Sequence, residues 1–515
     1  MATWQDGYIT DIPYTAGFFR ELAPPYLHLL SLLMGVRAAP IVEREYSYCE
    51  LGCGQGLGTL IAAAANPLGR FVGYDFNPAQ IAKANDLAER AGLANVKFVE
   101  ESFAALAARG EADGSKFDVV VLHGIYSWIS VDNRRHIVEF IRARLKPGGM
   151  VYVSYNCMPG WAAFAPVQRL MREFAKRRPG RSDKSVVAAM EFVNQLAGKG
   201  ARYLRANEPV LKNLARMADK DKTYLAHEYL NQHWEALYHV DVARDMEEAR
   251  LEYVGSATIS DNIVALSAPP EVSAMLAGAD SAMAETVKDF SVNRQFRRDL
   301  FVRGPVRLSA AQFVHELGAV RFTLTIPAER TTLKLTTAAG ELSSNEPIVK
   351  PLLEALKAGD ASFAEMAALP ELSAAPPWQV AQALSLLVES GQAHPVLPPG
   401  AANRAPAQAL NSLLIETARH DDSMQFLAAP AIGSGAFVAH PEQLVLLALR
   451  EIDPAQTAKI AAFVWPILKA QNKRMKREGQ PLESDRENIA ELERRVVEFV
   501  GERYPTLLKL KVVEA

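Results

Sequence analysis

The sequence predicts an α/β fold: a doubly wound, Rossmann-like parallel sheet, then a helical middle region and an α+β, winged-helix-like C-terminal part. Three observations carry this expectation. Over residues 46–65 (YSYCELGCGQGLGTLIAAAA) a strand, a glycine turn and a helix follow one another without a break. Five strand-like segments then alternate with helical ones as far as residue 154, the rhythm that builds parallel sheets. The fourth of them, Phe117 to Leu122 (FDVVVL), is almost wholly apolar, as a strand covered on both faces should be.

Length and composition point to several folded units. At 515 residues the chain exceeds one ordinary core, so about two to four domains are expected. Their expected limits are 1–160, 161–305 and 306–515. With 49% hydrophobic and 22% charged residues the chain is globular rather than disordered. The 56 basic and 59 acidic side chains leave a net charge of −3, so no strong field announces nucleic acid or an anionic membrane. The opening MATWQDGYITDIPY lacks the basic stretch and apolar core of a signal peptide. No apolar run nears the ~20 residues that cross a bilayer. Cys49, Cys53 and Cys157 are odd in number and lack metal-ligand spacing. They predict buried free thiols in a reducing cytoplasm, and no metal centre.

Residues 1 to about 45 precede the first strand. Tyr14 to Leu27 (YTAGFFRELAPPYL) is aromatic, and Leu29 to Met34 is a short apolar helix. Such a segment either folds over a ligand as a lid or caps the sheet edge. As a lid, it predicts that deleting residues 1–30 weakens ligand binding without unfolding the core. Tyr46 to Leu51 alternates well enough for a strand, Gly52 to Gly56 form the turn, and the helix from Leu57 stops at Asn66-Pro67. Arg70 to Asp75 (RFVGYD) is the second strand. Asn77 caps the next helix, with Pro78 at its first position and Gly92 as its stop. Val96 to Glu100 is the third strand. The fourth delivers HGIYSW (123–128) at its carboxyl end. A helix around Arg134 to Leu145, a tight turn at Lys146 to Gly149 and a fifth strand, Met150 to Ser154, lead to YNCMPGW (155–161). Ligands of open α/β sheets bind beyond the carboxyl ends of the strands, so both stretches are site positions.

From 161 to about 230 the pattern is helical. His227, His233 and His239 are six apart, which places successive members on opposite sides of a helix, as core or solvated residues rather than metal ligands. Val240 to Arg250 is an amphipathic helix. Leu251 to Ile259 and Asp299 to Arg303 are candidates for the sixth and seventh strands of the same sheet, which makes 161–230 an insertion. Beyond Pro305, Thr331 to Ser344 suggests a hairpin around Ala339-Gly340. Helices at about 346–358, 361–369 and 376–390 complete a winged-helix-like set. Its third helix, PPWQVAQALSLLVES, has no Arg or Lys to bring to a groove, which argues against nucleic acid. The run KRMKR (473–477) reads as a solvated face, and an amphipathic helix near Asp485 to Val500 closes the chain.

What the glycine turn holds is decided by its neighbours. A dinucleotide fingerprint needs G-x-G-x-x-G; here Gly52, Gly54 and Gly56 alternate, and Leu57 stands where the third glycine belongs. Glycines let a ligand lie against the main chain, before the free N–H groups of a helix. Glu50 would repel a pyrophosphate but suits an ammonium group. Asp75 lies 19 residues past Gly56, the interval at which a carboxylate accepts hydrogen bonds from both ribose hydroxyls.

ELGCGQG resembles the first motif of class I S-adenosylmethionine-dependent methyltransferases, where the acidic residue faces the methionine end of the cofactor. Taken in order, ELGCGQG, HGIYSW and SYNCMPGW, with the aromatic N-terminal segment and the YLAHEYL region, resemble bacterial class I methyltransferases that carry a methyltransferase regulatory domain. The rickettsial protein-lysine methyltransferases that act on an outer-membrane protein are of this kind. The resemblance implies S-adenosyl-L-methionine as cofactor, a middle helical domain that makes a homodimer, and a C-terminal domain that shapes a broad substrate cleft. It implies a cofactor shell of Glu50, Gly52, Cys53, Gly54, Gly56, Asp75 and Phe76, with Tyr14 and His123. Glu101, Ser102 and Phe103 fall where the family surrounds the adenine, Glu101 standing where Asp is more usual.

Methyl transfer from a sulfonium is an in-line displacement whose demands are mainly positional. An amine acceptor must also be presented uncharged, through desolvation and nearby oxygens. The expected loops after the fourth and fifth strands supply Tyr126, Trp128, Tyr155 and Asn156 as catalytic candidates, with Trp161 behind them. Aromatic faces and an amide suit a cationic or newly deprotonated amine. No general base stands out. His123-Gly124-Ile125-Tyr126 does not match the (N/D/S)-P-P-(Y/F) tetrad of nucleic-acid amino methyltransferases. The leading expectation is methylation of protein lysine. The alternatives are a small-molecule methyltransferase and a cofactor-binding regulator without turnover.

Overall fold

The computed structural model describes residues 5–37, 39–110, 114–178, 180–276, 278–337, 340–398 and 403–514. Helix α1 (Pro24–Leu33) leads into β1 (Tyr46–Leu51), and α2 (Leu57–Ala65), β2 (Gly69–Asp75), α3 (Pro78–Arg90) and β3 (Val96–Glu100) follow. Next come α4 (Phe103–Arg109), β4 (Phe117–Leu122), α5 (Val131–Arg144) and β5 (Leu145–Asn156). The local signals act as expected. Asn77 accepts a hydrogen bond from the Ala79 amide at 3.0 Å to start α3, and Ser130 accepts one from Asn133 at 3.2 Å to start α5.

Helices α6 (Ala165–Lys176), α7 (Ser182–Gly198), α8 (Arg202–Ala206), α9 (Glu208–Met217) and α10 (Lys222–Leu230) form an insertion. Helix α11 (His239–Glu248) then returns the chain to β6 (Glu252–Ser256). After α12 (Val264–Ser267), α13 (Pro270–Met275) and α14 (Ser281–Val292), β7 (Phe296–Val302) completes a sheet of order β3-β2-β1-β4-β5-β7-β6. The strands β1 to β5 are parallel; β7 is antiparallel to both β5 and β6.

Three expectations about this region change. Lys146 to Gly149 lie within β5 as an irregularity, the register jumping from Phe117–Leu145 to Val119–Met150. The strand also continues through Tyr155 and Asn156, so these two side chains leave opposite faces of a sheet instead of sharing a loop. Likewise the three spaced histidines share no helix: α10 stops at Leu230, His233 follows it, and His239 opens α11.

The C-terminal part contains α15 (Ala310–Ala319), β8 (Arg321–Leu324), β9 (Lys334–Thr337), β10 (Gly340–Ser343), α16 (Glu346–Ala358), β11 (Ala361–Ser362), α17 (Phe363–Ala367), α18 (Pro377–Glu389) and β12 (Ala393–Pro395). Strands β11, β8 and β12 make a small sheet with α16 to α18 beside it. The predicted hairpin is present as β9 and β10, but it pairs only with itself, because β10 is mostly exposed. Its tip, with Ala339, lies outside the described residues. Helix α18 buries Val380, Ala381, Leu384, Leu387 and Val388, so it is a core helix. After α19 (Ala405–Thr417) and the hairpin β13 (Phe426–Ala429) and β14 (Ser434–Phe437) come α20 (His440–Ala448) and α21 (Thr457–Ala470). The short pair β15 (Lys476–Arg477) and β16 (Gln480–Pro481), α22 (Asp485–Glu498) and α23 (Tyr504–Lys509) end the fold. Within the basic run, Met475 is buried, and Lys473, Arg474 and Arg477 pair with Asp422, Glu483 and Glu491.

Three apolar cores hold the molecule. One fills the α2 side of the sheet and continues through the C-terminal part, from Phe18 and Ile61 to Leu427 and Leu510. A second lies on the other sheet face, around Tyr126, Ile141, Tyr155 and Val242. The third belongs to the insertion, around Trp161, Met171, Val193 and Leu225. Among the described residues no helix is long and apolar enough to cross a membrane.

Candidate active site

Strand β1 ends by delivering Glu50 into the interior, where the hydroxyl of Thr59 donates to its carboxylate. Burial pushes Glu50 up to about 7, against the pull of that hydrogen bond. A buried carboxylate partnered by a neutral hydroxyl lacks a cation, and a ligand ammonium supplies one. Asp75 closes β2. It accepts from the amides of Gly54 and Asn77, both at 2.9 Å, so it braces the glycine turn from below. Burial raises its pKa while those amide bonds oppose the rise. Each oxygen has spent one acceptor site on an amide and keeps others for sugar hydroxyls.

The glycines do different work. A Cβ on Gly56 would meet Ala84 and the Phe98 ring at 2.7 Å, so this glycine lets α2 pack against its neighbours. At Gly54, whose φ is +55°, the nearest atom would be Gln80 Oε1 at 3.3 Å, and this is the position left open to a ligand. Cys49 and Cys157 are buried as expected, but Cys53 is partly exposed because it sits on the glycine turn, its amide bonded to Tyr74 O at 3.1 Å. On the next strand end, the amide of Glu101 serves Asp75 O at 2.9 Å and its carboxylate pairs with Arg109. Ser102 caps α4 and Phe103 packs against the second core. The expected adenine contact of Glu101 therefore competes with a salt bridge.

At the end of β4, His123 Nδ1 lies 2.9 Å from the Tyr152 hydroxyl and 3.1 Å from Ser154 Oγ. Burial and the nearby Arg298 push it down to about 3, so the imidazole is neutral and cannot act as a base near pH 7. The Phe19 ring lies over it at 3.7 Å between centroids. Tyr126 and Tyr155 are turned away. Tyr126 donates to Asp245 at 2.7 Å and Tyr155 to Asp299 at 2.6 Å, both from the second core on the far face. Trp161 sits in the insertion's core with its indole nitrogen on Gln295 O at 2.7 Å. Trp128 and Asn156 remain at the strand ends.

Asn156 meets a residue absent from the expected set. Asn156 Nδ2 donates to Glu228 Oε1 at 3.1 Å, across from α10. Burial pushes Glu228 up to about 7, while hydrogen bonds from Asn156 and Tyr224 pull it back. Around the pair stands an aromatic collar: Tyr14 edges Trp128 at 5.9 Å and His227 at 5.1 Å, and Tyr8 edges Phe76 at 5.7 Å. The signal in the sequence was a lone carboxylate within YLAHEYL, a turn otherwise too apolar to waste one. His227 is buried beside the backbone of Ile12 and Pro13, and burial lowers its pKa against their pull. Among the described residues no three His, Cys, Asp or Glu gather as metal ligands.

The N-terminal segment crosses over all of this. Ile9 N bonds Asn231 Oδ1 at 3.1 Å, the Gln232 amide bonds Gly7 O at 2.9 Å, and Asp11 accepts from Ser182 N and Oγ at 2.8 and 2.7 Å. Further on, Gln55 of the glycine turn donates to Tyr14 O. The covering strip stops near Phe19. Leu22, Tyr26, Leu27 and Leu30 belong to the first core, so removal of residues 1–30 would take core with it, contrary to expectation.

Family models match two stretches: a "Methyltransferase domain" over residues 43–235 and a "Predicted methyltransferase regulatory domain" over 221–303. An uncharacterized protein of Synechocystis sp. is 37% identical over 515 residues, covering 99% of this chain and 100% of its own. An uncharacterized protein of Rickettsia prowazekii is 26% identical over 302 residues, 58% of this chain and 53% of its own. Among solved structures, PKMT2 from Rickettsia typhi in complex with AdoHcy superposes with a TM-score of 0.68 at 19% identity, covering 97% of this chain and 99% of that one. At that identity the likeness is one of fold.

Proposed function

The chain belongs to the class I S-adenosylmethionine-dependent methyltransferases that carry a methyltransferase regulatory domain, and from that premise we propose that it methylates lysine side chains of a protein. The supporting observation is the buried carboxylate of Glu228, presented by Asn156 inside an aromatic collar at the carboxyl end of β5. Lysine reaches an enzyme as an ammonium and attacks only as an amine, so its site needs a cation-tolerant wall and a proton acceptor poised near neutrality. Tyr14 and Trp128 supply the wall. Glu228 accepts the proton. The lone pair released on nitrogen would take the methyl group in line, the C–S bond breaking as the C–N bond forms and the sulfur leaving as a neutral thioether.

Acceptors at the strand ends support the cofactor assignment. Glu50 awaits an ammonium, Asp75 two hydroxyls, and Gly54 leaves its main chain open. Bound there, S-adenosylmethionine supplies a methyl group on a sulfonium. Phe76, Tyr14 and the adenine-side residues Glu101, Ser102 and Phe103 complete the proposed shell, with His123 as a neutral neighbour. The large C-terminal part favours a macromolecular acceptor. The free thiols Cys49, Cys53 and Cys157 fit a reducing cytoplasm. We also propose a homodimer built through the middle region.

The test is to incubate the purified protein with methyl-labelled S-adenosylmethionine and cell-lysate fractions. Label in protein, mapped to lysine by mass spectrometry, is the expected result. Label confined to small molecules, or no transfer at all, overturns the lysine reading.

A further inference from the structure

A cleft of about 400 Å³ opens between the covering strip and the C-terminal part. It borders the active site directly, because Phe19, which lies over His123, also forms part of its wall. Arg298 links the two as well. It pairs across the strands with Ser154, whose hydroxyl serves His123 and Gly124.

The charge of this cleft is unbalanced. Its lining holds three guanidinium groups, Arg20, Arg298 and Arg503, against the single carboxylate of Glu21. The guanidinium groups are held by neutral acceptors. Arg503 donates to the carbonyls of Thr325 and Phe437 at 3.0 and 2.9 Å, Arg298 to the Thr258 hydroxyl at 3.1 Å, and Arg20 to the carbonyl of Glu389. Arg298 Nε is buried without a hydrogen-bond partner. Among the described residues no ion pair involves Arg298 or Arg503, and Glu21 reaches Arg20 only at 4.0 Å. Glu442 contributes field at Arg503 from outside the lining, and Glu21 and Asp261 contribute field at Arg298. Half-buried cations that carboxylates reach only from a distance gain from a counter-ion in contact, and a fork of N–H donors matches a carboxylate. The remaining wall, with Phe18, Phe426, Ile326 and Leu510, is apolar and suits a carboxylate carried on a side-chain stem.

We propose that this cleft binds an acidic side chain of the acceptor polypeptide, flanking the residue that enters the active site. The assignment rests on the reading of a protein acceptor, and it adds a selection rule: acceptor sites lie beside Asp or Glu.

Binding can be measured apart from turnover. The probes are a fluorescent lysine-free peptide rich in Glu, its counterpart with Gln at those positions, and succinate as competitor, each with the full-length protein. The Glu peptide is expected to bind at least tenfold more tightly than the Gln peptide. Arg298→Gln should abolish that preference, and Arg298→Lys should restore part of it. The Arg20 side chain is 32% exposed, so Arg20→Gln provides a second test whose fold is checked by its melting curve. Equal binding of the two peptides, or a preference untouched in Arg298→Gln and Arg20→Gln, overturns the site. Displacement of the Glu peptide by an equal concentration of succinate assigns the cleft to a free acid and overturns the polypeptide source. If the Glu peptide binds as expected but a lysine-bearing version takes no label, the lysine reading fails while the site stands.

Discussion

Glu50 sets the first prediction at the scale of single residues. A carboxyl group held at about 7 against an ordinary 4.5 binds its proton in the folded state through a window where the unfolded chain has lost it. Its contribution to stability is therefore greatest at low pH and is lost as pH rises from about 4.5 to about 7; Glu228 acts in the same direction. A bound ammonium requires the ionised form, so cofactor affinity should rise roughly tenfold per pH unit below about 7 and level off above it. Calorimetry across pH checks this, and Glu50→Gln should remove the slope. For Glu228→Gln we expect kcat to fall about 10²- to 10⁴-fold, the range of lost general-base catalysis. The cofactor's Kd should stay unchanged, and the acidic limb of the pH–rate profile should disappear. That Glu50 and Asp75 lie at strand ends beside the glycine turn was legible in the sequence, because backbone spacing from the turn fixes their place. Glu228 was not, since it comes from a helix that meets Asn156 only through the folding of the insertion.

Among elements, the N-terminal strip divides into a cover and an anchor. Tyr14→Ala should weaken cofactor binding with little change in melting temperature. Leu27→Ala should cost about 2–5 kcal/mol of stability in denaturant titration, as large-to-small core changes do, because Leu27 has no exposed surface. Strand β7 carries a second device. Arg297 bonds Glu285, Asp289 and Asp299 at 2.7 to 3.1 Å in the interior, and Tyr155 and His239 lean on the same Asp299. Arg297→Met would leave three carboxylates facing one another, an expected loss of about 3–5 kcal/mol by thermal or chemical unfolding. This network explains why Tyr155 was misplaced on the sequence. The apolar run FDVVVL announces a buried strand, but nothing local says that β5 runs on through Tyr155 or that an aspartate two strands later captures its hydroxyl. Tyr126 escaped in the same way, its partner Asp245 lying on α11.

For the molecule as a whole, the arrangement of cores matters more than the expected boundaries. The C-terminal part shares one continuous core with α2, and Asn66 fastens the junction by donating to Gly433 O at 2.8 Å. A chain ended at residue 305 should therefore aggregate instead of leaving a working core, as solubility and scattering would show. The insertion closes its own core, and hydrogen exchange should find 165–230 opening before β1 and β4. The rhythm of strands and helices was readable because periodicity encodes it directly. That the C-terminal part completes the sheet's own interior was not, since contacts between residues hundreds of positions apart leave no periodic trace.

Asp11 ties the covering strip to the first turn of α7, and Gly7 ties it to the end of α10. If the nucleoside binds where we propose, the roof over it is thus hung from a separate building. Whatever grips the insertion, whether a second copy of the chain or a regulator, also tugs on that roof, and its hold would be felt as a change in how long the spent nucleoside stays inside.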